Sequence, residues 1–241
     1  YNVAIGNESM KGTVTGDGVN VAVGHQSLAS LTSGYNNVAL GGNALNVSTT
    51  GFSNIAIGRH SAAALVGGTM NVAIGHAALT SEAGGDTTIA IGQNALYSQN
   101  MGVGSGTDSK NIGIGYLASY YNVTGTANVS IGYDAMKGVS GQSHSNNVAI
   151  GYQSMYPITT ANSNVGIGYQ SLRAVTSGGQ NIGIGTQANY SVTTGVVNTA
   201  VGNGALFYNQ TGNYNTAIGG SAMGGASGNS HENNTAVGYK S

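Results

Sequence analysis

Asn2-Val3-Ala4-Ile5-Gly6 stands at the start of the sequence, and variants of this pentad return down its whole length. Their closing glycines are Gly6, Gly24, Gly41, Gly58, Gly75, Gly92, Gly115, Gly132, Gly151, Gly168, Gly185, Gly202, Gly219 and Gly238. Nine of the thirteen intervals are 17 residues, and the others are 18, 23, 19 and 19. A fixed period with occasional longer steps marks a repeat architecture in which each coil tolerates a loop insertion. Within the pentad, Val3 and Ile5 alternate with Ala4, the period-2 pattern of a strand with one apolar face. That face recurs as Val21/Val23, Ile55/Ile57, Ile89/Ile91, Ile112/Ile114 and Val148/Ile150, all β-branched and suited to a pleated sheet. These side chains are expected to fill the coil interior.

Four residues beyond the glycines runs a second apolar column: Met10, Leu28, Leu45, Leu79, Leu96, Met136, Met155, Leu172, Leu206 and Met223, each preceded by Ser or Ala. It reads as a second short strand folded back on the first. A turn rich in Thr, Ser and Gly follows, as in Ser48-Thr49-Thr50-Gly51 and Val192-Thr193-Thr194-Gly195. The fold expected is therefore all-β, a parallel β-solenoid of about 14 coils with a 17-residue repeat. Stacking at about 4.8 Å per rung would give a rod of roughly 65 Å. The longer steps, around residues 101–110, 140–146 and 227–233, are expected to protrude as loops that leave the strand ladder intact.

Two further columns bear on assembly. Asn opens every pentad except the one at Thr88, which fits either a ladder of side-chain amides bonded from rung to rung or a residue chosen for its turn propensity. The middle of the pentad is only ever Ala, Gly or Ser, from Ala4 through Ala149 and Ala200 to Ala236. Such a strip, pointing away from the Val/Ile face, implies close approach by another backbone. The partner is either the opposite wall of the same coil or neighbouring chains, and a homotrimer packed through the small column is the favoured expectation.

Composition narrows the function classes. The 241 residues include 42 Gly, one Pro, no Cys and no Trp; charged residues are 5% and the net charge is −1. Nucleic acid is not an expected partner, because no basic field exists to neutralise phosphates. High hydrophobic content with little charge argues for a folded chain. No apolar stretch of membrane-spanning length occurs, and no membrane insertion is expected. The whole of residues 1–241 reads as one repeat array, a fragment of a longer chain with its anchor or tip elsewhere.

The pentad followed by x-x-(Ser/Ala)-(Leu/Met) resembles the head repeats of trimeric autotransporter adhesins. It is equally similar to repeat arrays of phage and bacterial tail-fibre proteins, as in Thr211-Gly212-Asn213-Tyr214-Asn215-Thr216-Ala217-Ile218-Gly219. The resemblance implies a left-handed parallel β-roll, trimerisation and an extracellular binding or spacer role. The 17-residue period is somewhat longer than that of the adhesin heads.

Little in the sequence points to chemistry. Gly-x-Gly strings such as Ile112-Gly113-Ile114-Gly115 are strand columns that precede no helix, so no cofactor is expected. His25, His60, His76, His144 and His231 lack a Cys or second His at ligand spacing. Asp17, Asp86, Asp108 and Asp134 lie in different repeat contexts, so neither a metal site nor paired catalytic carboxylates are expected. Seven Asn-x-Ser/Thr sequons, at Asn7, Asn46, Asn122, Asn128, Asn189, Asn209 and Asn233, are no more than composition produces by chance. One surface column stands out. Tyr116, Tyr133, Tyr152 and Tyr169 follow consecutive pentad glycines, and Gln153, Gln170 and Gln187 occupy the next column. This edge is the candidate glycan contact, with a stiffening stack of rings as the alternative. The resulting expectation is a non-enzymatic structural fibre or adhesin shaft on a cell or virion surface. A tail-fibre shaft, a free filament with or without glycosylation and, lower, an ice-binding rod are the alternatives.

Overall fold

The computed structural model describes residues 1–15, 18–104, 108–225 and 230–241. It divides into two compact units, Tyr1–Thr126 and Ala127–Ser241. Each is a parallel β-solenoid of seven coils, with no helix among the described residues. The first unit contains β1 (Asn2–Ile5), β2 (Asn20–Val23), β3 (Val38–Leu40), β4 (Ile55–Ile57), β5 (Val72–Ile74), β6 (Ile89–Ile91) and β7 (Ile112–Ile114). The second contains β8 (Val129–Ile131), β9 (Val148–Ile150), β10 (Val165–Ile167), β11 (Ile182–Ile184), β12 (Thr199–Val201), β13 (Thr216–Ile218) and β14 (Thr235–Val237).

Within each unit, successive strands pair in parallel and in pentad register, so that Val38 meets Ile55 and Ala39 meets Ala56. Insertions do not shift this register. Ile89 pairs with Ile112 across the 23-residue step, and Val129 with Val148 across a 19-residue step.

The two faces of the strand are the reverse of the sequence expectation. Ala22, Ala39, Ala56, Ala73 and Ala90 are fully buried in the first unit, as are Ala149, Ala200 and Ala217 in the second. Their Val/Ile neighbours point outward, Ile55 and Ile57 being 38% and 37% exposed. The reason is volume. The opposite wall of the coil supplies the Leu/Met column, and a Cβ added at Gly113 would come within 2.9 Å of Leu96 Cγ; at Gly166, within 3.1 Å of Met155 Cε. At these two coils even a methyl is crowded, and elsewhere the column holds nothing larger than Ala or Ser. The small column therefore packs inside its own coil and is not exposed to a neighbouring chain, contrary to the expected trimer contact through it.

The Leu/Met column is likewise not a strand. Leu28, Leu45, Leu96, Met155 and Leu172 have φ between 48° and 53°, and the residues two before them are also left-handed, as Gln26 at 55° and Asn43 at 59°. This turn segment still makes a rung-to-rung ladder. Leu28 N donates to Ala44 O of the next coil at 3.0 Å, while Gln26 N donates to Asn7 O of the preceding one at 3.0 Å. A left-handed Leu costs about 1–2 kcal/mol, whereas burying its side chain returns about 1.5–3 kcal/mol. Burial offsets the strain.

A third interior column, absent from the sequence reading, lies seven residues past the glycine: Leu31 and Leu65 in the first unit, Ile158, Val175 and Val192 in the second, all fully buried. The pentad glycines are fixed by backbone. Gly24 has φ 134°, and a Cβ there would sit 2.6 Å from Gly41 O on the next rung.

The Asn column is an amide ladder. Asn37 Oδ1 accepts from Asn54 N at 3.0 Å and Asn54 Nδ2 at 3.1 Å, and Asn37 Nδ2 gives its hydrogens to Asn20 Oδ1 at 3.1 Å and Gly51 O at 2.8 Å. Every hydrogen-bonding valence of that amide is used. The same pattern runs through Asn164, Asn181 and Asn198 in the second unit. Loss of one rung would strand buried groups at about 1–3 kcal/mol each.

The insertion at residues 140–146 only partly protrudes. Val139 is 39% exposed where its column-mates are core, and His144 is 1% exposed. The imidazole is the buried side chain that this coil has in place of an apolar one. His144 O takes the ladder bond from Asn128 Nδ2 at 2.7 Å, and His231 O takes the equivalent bond from Asn215. Residues 105–107 and 227–229 of the other two insertions lie outside the described residues, as does Asp17.

Candidate functional site

Surface chemistry begins with the outer face of the sheet. In the first unit it consists of Val3, Ile5, Val21, Val23, Val38, Leu40, Ile55, Ile57, Val72, Ile74, Ile89, Ile91, Ile112 and Ile114, two aliphatic columns without a polar break. In the second unit the same columns run from Val129 and Ile131 to Ile182 and Ile184, then take Thr at Thr199, Thr216 and Thr235. The alternation forces this arrangement, since sending Ala inward leaves Val and Ile nowhere else to go. A contiguous apolar strip of this kind is what monomers avoid exposing.

The tyrosine edge is built as a stack. Tyr133, Tyr152 and Tyr169 are 48%, 43% and 48% exposed, with ring centroids 5.4 and 5.5 Å apart and planes within 15° and 8° of parallel. Tyr152 thus has a neighbour on both faces, and a pyranose has no free face of it to lie on. What the ladder offers outward is ring edges and hydroxyls. Tyr116 holds the same repeat position in the first unit and is 39% exposed. The glutamines form their own ladder, Gln187 Nε2 donating to Gln170 Oε1 at 3.2 Å and Gln170 Nε2 to Gln153 Oε1 at 3.4 Å. Part of their capacity to bind a hydroxyl is already used.

A second aromatic column, five residues past the glycine, was not read from the sequence. Tyr97 stacks on Tyr120 at 5.0 Å in the first unit, and Tyr190 on Phe207 at 4.8 Å in the second. The same column of the second unit holds a cation–π cluster, with Arg173 Cζ 4.3 Å and Lys137 Nζ 5.6 Å from the Tyr156 ring. The recurrence of aromatic and basic residues five positions past the pentad glycine was the available signal.

Other titratable groups are scattered. His60 and His76 lie on adjacent coils with centroids 6.4 Å apart. Burial, then the neighbouring Arg59 and His76 charges, hold His60 below the usual histidine range. Asp86 and Asp108 face each other on adjacent rungs, but Asp86 Oδ1 is bonded to Thr69 and Asp108 pairs with Lys110 at 3.3 Å. Among the described residues no three His, Cys, Asp or Glu side chains gather as a metal site would require. Threonine hydroxyls of the regular column are turned to backbone, Thr176 Oγ1 bonding Thr193 O at 3.1 Å and Thr193 Oγ1 bonding Gln210 O at 3.1 Å. Their donors are not presented as an array to ice. No protein-family model, curated protein or solved structure matches the chain.

Proposed function

We propose that the chain is a passive structural element of an extracellular fibre or adhesin shaft, assembling as a homotrimer through the outer Val/Ile face. The face carries this reading. Its interior counterpart is already filled, so the strip has no use within the chain. Covering what the fourteen aliphatic side chains of the first unit still expose is worth on the order of 10 kcal/mol. That is comparable with the roughly 4–15 kcal/mol cost of association, so the strip must be covered along its length and a single charge within it is decisive. Two parallel columns suit a closed three-fold ring, in which the first column of each copy meets the second column of the next. The likeness of the pentad to adhesin-head and tail-fibre repeats supports the same assembly and a place on a cell or virion surface.

Sedimentation equilibrium of the purified chain is expected to give three copies, and Ile57→Lys with Ile74→Lys is expected to give monomers with unchanged far-ultraviolet dichroism. A wild-type chain that stays monomeric at tens of micromolar, on the order of concentrations where weak interfaces form, would overturn the assembly.

A further inference from the structure

Five polar side chains lie fully buried at one place in the first unit, where the chain departs from its own repeat in several columns together. Thr88 stands where every other copy has the ladder asparagine, and Glu82 and Gln99 occupy the interior column that holds Leu31 and Leu65 in earlier coils. Ser109 and Asn111 complete the group. Gln99 Nε2 lies 3.2 Å from Thr88 Oγ1 and 3.0 Å from Glu82 Oε2. Gln99 Oε1 accepts from Asn111 Nδ2 at 2.8 Å. Thr88 Oγ1 also contacts Ser109 Oγ, which donates to Asp86 O at 3.1 Å. Glu82 Oε1 accepts from the amides of Gly84, Gly85 and Met101 at 3.0, 2.7 and 3.1 Å.

Repair of the amide ladder would account for Gln99, whose amide fills the gap left at Thr88. It does not call for a carboxylate on the same nitrogen, since burying Glu82 where Leu would fit costs several kcal/mol unless its bonds are complete. Together the residues supply a hydroxyl nucleophile, an amide carbonyl polarised by a donor, and an acceptor on the leaving nitrogen, all away from bulk water. We propose that Thr88 and Gln99 become joined by an intramolecular ester. Thr88 Oγ1 attacks Gln99 Cδ, the Oγ1–Cδ bond forms and the Cδ–Nε2 bond breaks. The hydroxyl proton passes to Nε2, and the nitrogen leaves as ammonia. No electrons are gained or lost, and Glu82 begins and ends as a carboxylate.

A C–N bond of about 1.33 Å puts Cδ no farther than about 4.5 Å from Oγ1, and rotation of the Gln99 side chain closes the rest of the way to the reactive separation of about 3–3.5 Å. Asn111 Nδ2 is placed to stabilise the charge that develops on Oε1. Glu82 steadies the nitrogen as it gains its proton. The product ties together residues 88 and 99 of one coil, restricting the unfolded chain and resisting opening of that coil under tension.

The intact mass of the chain is expected to fall one ammonia, about 17 Da, below the sequence mass. Proteolysis should yield one branched peptide joined at Thr88 and Gln99, cleaved by alkaline hydroxylamine after unfolding. Thr88→Ser should keep the link and Thr88→Val should lose it. Glu82→Gln should also return the chain to its sequence mass, while still offering an oxygen to the three backbone amides. A wild-type mass equal to the sequence mass overturns the ester, as does a loss that maps to another site such as Asn203-Gly204. A link that persists in Glu82→Gln overturns the part assigned to Glu82. The readout does not depend on whether copies associate.

Discussion

A histidine buried to 1% exposure cannot take a proton without a large penalty, and His144 is such a residue. Burial is the first cause that holds its pKa down, from the ordinary 6.5 to about 4. The folded chain therefore binds this proton less readily than the unfolded chain does. Stability from the neutral ring is complete above the unfolded value of 6.5, drains away as pH falls toward about 4, and is flat below it. The loss amounts to about 3 kcal/mol over that window. Denaturant titration at pH 7 and at pH 4.5 should show most of it, and His144→Met should flatten the dependence. An unchanged slope in that variant would assign the acid sensitivity to other groups. Asn189 shows a different compromise in the same unit. It sits at φ 51° in the Leu/Met column, where asparagine is tolerated better than leucine, but its buried side-chain amide has no hydrogen-bond partner among the described residues.

At the scale of the element, the tyrosine ladder can be tested as a stiffener against the sugar-binding alternative. Replacing Tyr133 and Tyr152 by Ala removes both stacked contacts, Tyr133–Tyr152 and Tyr152–Tyr169. The second unit is expected to lose about 1–2 kcal/mol, with retention on a glycan array unaltered. Unchanged melting with lost glycan retention would restore the adhesive reading of this edge. The sequence made the strands and their register legible, because a 17-residue period admits few other meanings, but it left the Asn column open between an amide ladder and a turn preference. It did not reveal which face of Val-Ala-Ile looks inward. Alternation separates two faces, and only the volume available opposite, filled by Leu96 or Met155, decides between them. Nor could Leu28 be read as left-handed, since leucine has no local preference for that conformation and takes it only for the burial that follows. The burial of His144 escaped for a similar reason: an insertion was assumed to leave the core alone, whereas this coil exposes Val139 and seats the imidazole inside.

For the whole molecule, the scarcity of charge sets how assembly should respond to its surroundings. Six basic and seven acidic side chains in 241 residues leave almost no field to screen, and none of them lies in the outward columns of either unit's sheet. A fibre held by ion pairs would loosen as salt shortens the range of its electrostatics from about 30 Å at 0.01 M to about 3 Å at 1 M. Association through Val and Ile has no such term. It should change less than about threefold in dissociation constant between 0.05 and 1 M sodium chloride, tighten in sodium sulfate, and show a negative heat-capacity change on assembly. Sedimentation at several salt concentrations, with calorimetric dilution at three temperatures, measures all three. Tenfold or greater weakening by sodium chloride, about 1.4 kcal/mol, would place the contact on charged edges such as Glu8–Lys11 and leave the aliphatic face without its partner.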